Sequence, residues 1–189
     1  MSTLAQQPFL SIDDYLTSED GAECCHEYIN GALYAMTGAT DRHCLIVGNL
    51  CAVLRPQLRG TTCQLFANTM KVRLRIAEQD IFYYPDLLLS CDPTDRATYY
   101  CTAPCLLVEV LSESTARIDR REKLFSYMTI PSLQEYVIID QWERQIEIYR
   151  RSTDWAIERL TAGQLELTCL PISVPFDVIY EDVEMGRRD

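Results

Sequence analysis

The chain has 189 residues, a formal net charge of −11, 48 % apolar residues and 24 % charged residues. That length supports one domain with a substantial core, and no stretch approaches the apolar length of a membrane span. The acidic balance, with a pI ≈ 4.6, disfavours a non-specific nucleic-acid binder working through a basic face, although a local cluster of basic residues can still hold a phosphate backbone.

The opening MSTLAQQPFLSIDDYL lacks a basic segment followed by an apolar one, so a cytoplasmic protein is expected, with its cysteines as thiols. In SIDDYL, Ser11 reads as an N-cap with Asp14 three residues on. HEYINGALYAM (26–36) reads as two short strands turned at Asn30-Gly31. Residues 40–60 read as an amphipathic helix with Leu45, Ile46, Leu50, Val53 and Leu54 inward, ended by Pro56 and Gly60. Residues 64–77 alternate as one strand, with Lys71, Arg73 and Arg75 on one face and Val72, Leu74 and Ile76 on the other. YPDLLLSC (84–91) and CLLVEVLS (105–112) are apolar enough to be central strands. The pattern over 114–128 predicts a helix with Ile118, Leu124, Phe125 and Met128 inward, and Asp119, Lys123 and Tyr127 towards solvent. QEYVIID (134–140) is a further buried strand, and ERQIEIYRR with WAIERL a closing hairpin. The order predicts an α/β fold with a mixed central sheet flanked by helices, an N-terminal strand addition and a C-terminal hairpin. A single domain over 1–189 is expected, with 1–10 and 181–189 as mobile tails.

Two carboxylates interrupt the central strands, Asp86 after Pro85 and Glu109 inside an apolar run. Two anions about 4 Å apart repel by roughly 4 kcal/mol at an effective dielectric near 20. Such a pair shares a proton or binds a cation, and hard oxygen ligands suit Mg²⁺ or Mn²⁺. The plainer alternatives are that Asp86 closes a turn, and that Glu109 meets water at a strand end or pairs with a basic side chain. The nine cysteines form no C-x-x-C pair and no zinc-ribbon spacing. Ser112 and Ser114 read as helix caps, since no histidine stands beside them as a base.

YPDLLLSCD, LLVEVLSESTARIDRREKLFSYM and LQEYVIID resemble the Uma-two family of the PD-(D/E)XK nuclease superfamily, from about Ser11 to the C-terminal hairpin. The resemblance implies a restriction endonuclease-like core and a metal-dependent DNA endonuclease, with Asp86 and Glu109 binding Mg²⁺ or Mn²⁺. The superfamily lysine is missing from its usual strand position, where Leu111 stands, and Lys123 on the helix corresponds to its substitute. Glu27 matches the family's N-terminal acid, while Ala32 stands where a second acid is usual. His43 falls at a family histidine position and is a candidate substrate or water contact; a packing role is the alternative. Lys71, Arg73, Arg117, Arg120 and Arg121 are candidate DNA contacts, or a solvated surface. Paired cuts in DNA imply a homodimer. The opposing class is a catalytically silent DNA- or protein-binding module on the same fold.

Overall fold

A computed structural model describes residues 9–36, 38–112 and 116–185. Ser11 caps α1 (Ile12–Glu19): its Oγ accepts the Asp14 N–H and donates to the Asp14 carboxylate, satisfying a donor that the first helical turn leaves open. β1 (His26–Ile29) and β2 (Ala32–Ala35) pair antiparallel. Asn30 and Gly31 both have positive φ, 47° and 89°, the turn that Asn-Gly favours. α2 (Asp41–Gln57) begins at Thr40, whose Oγ1 accepts the His43 N–H, and buries Ile46, Val47, Leu50 and Leu54. Leu45, expected inside, is on its exposed side.

The stretch 64–77 is two strands. β3 (Gln64–Ala67) stops at Asn68, which takes φ 60°, and β4 (Lys71–Ile76) continues in another sheet. Asparagine tolerates that left-handed conformation, and alternation of side chains cannot register it. Ala77 and Glu78 turn β4 into β5 (Gln79–Tyr83), a strand the pattern did not mark. Then come β6 (Leu87–Ser90), β7 (Tyr100–Cys101), β8 (Leu106–Leu111), β9 (Glu135–Asp140), β10 (Ile146–Arg150) and β11 (Ile157–Leu160). A last hairpin, β12 (Gln164–Leu167) and β13 (Ile172–Pro175), leads into a short helix at Phe176–Ile179.

The central mixed sheet runs β11-β10-β9-β8-β6-β3, with β8 parallel to β9 and the other pairs antiparallel. The N-terminal hairpin joins a second sheet, β2-β1-β5-β4-β7. Along β8, Leu106, Val108 and Val110 pack on the α2 side, while Leu107 and Leu111 pack with β4, β5 and Tyr127. Glu109 has the parity of Leu107 and Leu111, so its side chain enters the layer between the two sheets. The expected α/β architecture, a mixed sheet flanked by helices, is the one observed.

The helix over 116–128 turns its expected solvent side inward, while of the side chains expected inside Leu124 packs on the core and Phe125 does not. It is helical at Ala116–Ile118, π-helical over Asp119–Lys123, and α-helical again at Leu124–Met128. The π turn inserts a residue into the helical period and rotates the following side chains by about 100°. Asp119, Lys123 and Tyr127 are buried and Phe125 is 68 % exposed. Phe125→Ser should therefore change stability by no more than about 0.5 kcal/mol. Tyr127→Phe, which removes a buried donor to Glu109, should cost about 1–3 kcal/mol. Urea unfolding with unchanged m-values measures both.

Cys63 and Cys91 are joined in a disulfide, which overturns the expectation that all the cysteines are thiols. Since Gln64 pairs with Ser90, the next step outward sets the two cysteines side by side across β3 and β6. Residues 1–8 and 186–189, most of the expected tails, lie outside the described residues, as does Ser114. Leu10 N–H donates to Gly31 O, and the Arg42 side chain donates to Glu184 O, so the described ends are tied to the body. Among the described residues no helix is long and apolar enough to cross a membrane.

Candidate active site

β6 and β8 pair with Leu87 opposite Val108, and one further step places Asp86 opposite Glu109 on the same face. The Val110 N–H donates to Asp86 Oδ2 at 2.6 Å, and His43 Nε2 lies 3.0 Å from the same oxygen. Glu109 Oε1 accepts from Lys123 Nζ at 3.1 Å and from the Tyr127 hydroxyl at 2.9 Å. Lys123 Nζ also reaches Glu27 Oε1 at 2.9 Å and Asp119 Oδ1 at 3.4 Å. Lys123 ends the π turn, and Asp119, four residues before it, begins it on the same buried side.

Three carboxylates thus pair with one ammonium, and a fourth, Asp86, stands opposite Glu109 and pairs with His43. With all of them ionised and His43 neutral, the cluster carries a surplus of three negative charges, although Glu109 and Lys123 are each only 4 % exposed. Burial without full compensation disfavours the charged form. Burial accordingly pushes the Asp86 carboxyl up to about 7, and pushes Glu109 well above the carboxylate range against the pull of Lys123. For Lys123 burial acts downward, but Glu109, Glu27 and Asp119 together outweigh it and keep the ammonium charged. Burial lowers His43. Neutral His43 donates Nε2–H to Asp86, leaving Nδ1 buried without a partner.

Asp86, Glu109, Glu27, Lys123 and His43 line one cavity of about 310 Å³, whose walls include Tyr34, Met36, Tyr84, Ile118 and Gln141. Asp86 Oδ1 and Glu109 Oε2 accept no hydrogen bond among the described residues. Two carboxylate oxygens in an anionic cavity suit a divalent cation that otherwise keeps water ligands, as Mg²⁺ does. Among the described residues no group of three or more His, Cys, Asp or Glu could hold a metal by itself. Asp86 and Glu109 are the two residues that would hold such an ion, with water completing its shell.

The basic candidates are not gathered there. Lys71 is buried, its Nζ 5.0 Å from the Tyr84 ring centroid. Arg73 pairs with Asp80, and Arg120 with Glu147 and Asp140. Arg117 reaches Glu122, and Arg121 is exposed. Sequence reasoning missed Tyr127, whose hydroxyl fixes Glu109. Its spacing of four from Lys123 was the available signal. Gln141 was also missed: it donates to Leu111 O and accepts from Thr40, tying the end of β8 to the start of α2. Only its place directly after a strand marked it.

The family model described as "Putative restriction endonuclease", Uma2, matches residues 12–176. Two uncharacterized proteins of Synechocystis sp. are similar along most of the chain. One is 36 % identical over 183 residues, 95 % of each chain. The other is 33 % identical over 172 residues, 88 % of this chain and 96 % of the relative. The crystal structure of a "putative nuclease" belonging to DUF820 from Anabaena variabilis shares the fold, with a TM-score of 0.68 at 16 % identity, covering 90 % of this chain and 97 % of that one. With its match spanning residues 12–176, this chain belongs to the Uma2 family.

Proposed function

We propose that the protein is a divalent-metal-dependent endonuclease acting on DNA. The observation that carries the reading is the surplus of buried carboxylate charge around one cavity, where an oxygen of Asp86 and one of Glu109 accept no hydrogen bond among the described residues. Mg²⁺ or Mn²⁺ held by these two residues would supply a Lewis acid for the phosphoryl group and lower the pKa of water. His43 and the Val110 N–H fix Asp86; Tyr127 fixes Glu109. Lys123 is held for the charge that builds on phosphorus, and Glu27 and Asp119 keep it protonated and in place. Tyr34 lies directly across from Glu27 in the β1–β2 pair, so its half-exposed ring shares that face and can stack on a base. Arg117 and Arg121, both exposed, are the expected phosphate contacts. A homodimer would allow paired cuts.

A silent binding module is the competing reading, favoured by the engagement of Lys123 in three ion pairs. Plasmid, linear, single-stranded and branched DNA incubated with Mn²⁺ or Mg²⁺ at low salt separates the two. Cleavage by the wild type and at least about 100-fold less by Asp86→Ala is expected. DNA binding without cleavage of any substrate would support the module.

A further inference from the structure

At the far ends of β6 and β8 from Asp86 and Glu109, four of the nine cysteines meet. Cys91 is bonded to Cys63, and the Cys105 Sγ–H points at Cys91 Sγ from 3.8 Å. Cys169, in the turn between β12 and β13, is the neighbouring thiol that lowers Cys105 below its ordinary range. The two ends of the disulfide differ. Cys91 has a sulfur donor and a second thiol behind it. Cys63 lines a surface cavity of about 570 Å³ together with Arg55, Arg59 and Arg96. These three arginines are exposed. Arg96 donates to Gln64, and neither Arg55 nor Arg59 has an ion pair among the described residues. In a chain of net charge −11, this is a local reversal of sign beside one sulfur.

We propose that Cys63–Cys91 is a thiol–disulfide exchange site for a small anionic thiol. The arginines attract the thiolate, which attacks Cys63 Sγ. The new S–S bond forms to Cys63 as the Cys63–Cys91 bond breaks, and the electron pair leaves on Cys91 Sγ. Cys105 gives its proton to that leaving sulfur, and the Cys105 thiolate so formed takes up a proton from solvent. The products are a mixed disulfide at Cys63 and a Cys91 thiol; no further oxidant or reductant is consumed. Exchange rate depends on which sulfur is reached and on how well the other leaves. Electropositive, partly exposed surroundings are where reactive sulfurs sit. The site is independent of the nuclease reading.

The test uses the full chain with three probes of similar size: 3-mercaptopropionate (anionic), 2-mercaptoethanol (neutral) and cysteamine (cationic). Each rate is divided by that thiol's rate with a neutral linear disulfide, and adducts are mapped by mass spectrometry after acid quenching. At low salt the anionic probe should exceed the cationic one by about tenfold, a steering effect that added salt removes. The adduct should be on Cys63. Arg55→Gln with Arg59→Gln should abolish the charge preference. Cys105→Ser should slow exchange with all three probes and leave the adduct on Cys63. The proposal is overturned by equal normalised rates, by adducts on Cys91, or by Cys63 and Cys91 remaining free thiols after mild oxidation.

Discussion

At roughly pH 8 and without divalent cations, Asp86→Asn should be more stable than the wild type by up to about 4 kcal/mol. Burial raises the folded carboxyl from 3.8 to about 7, so the folded state prefers it protonated. That preference stabilises fully below the unfolded value and is lost as pH rises through the folded one. The wild type should weaken steadily from about pH 4 to pH 7, and the advantage of the asparagine should vanish at the acid end. Asparagine can still accept the Val110 N–H, so the local geometry survives. Metal binding should be lost even as stability rises, an exchange of stability for function common at charged sites. Thermal unfolding of both proteins across pH measures the effect, and an unchanged wild-type stability between the two ends would refute it.

Lys123→Met should have the opposite effect. The methionine fills much of the volume but leaves Glu109, Glu27 and Asp119 facing one another without their shared cation. Removing one partner from a buried ion cluster costs about 3–5 kcal/mol. The loss should be greatest near neutral pH and shrink as the carboxylates protonate. Adding Glu109→Gln should recover part of it, because one of the stranded charges is gone; the non-additivity gives their coupling. Equal destabilisation at acid and neutral pH would mean that packing, and not charge, explains the lysine.

The positions of Asp86 and Glu109 were legible because each breaks an apolar strand pattern, and a register of paired strands then sets them opposite each other. Glu27, His43 and Lys123 entered through resemblance, and the fold brings all three to the same cavity. The face of the 116–128 helix was not legible. The wheel puts Asp119, Lys123 and Tyr127 on one side as the structure does, but a charged side reads as solvent-facing, and here it turns inward with Phe125 outward. The inward stripe is stable only because acids from β1 and β8 meet Lys123, a long-range condition that no local pattern contains. Lys71 looked like a solvent-facing base by alternation, yet the split at Asn68 moves its strand beneath Tyr15 and Tyr84. The Cys63–Cys91 bridge likewise follows from strand pairing, since the residues are 28 apart.

The role proposed for the surplus of buried carboxylate charge is to hold a divalent cation. Calorimetric titration of Mn²⁺ into the wild type, Asp86→Asn and Glu109→Gln, in buffers of different ionisation enthalpy near pH 7, tests this most directly. One ion should bind the wild type with release of protons, and neither variant should bind comparably. Absence of binding to the wild type, or equal binding by all three, would contradict the account.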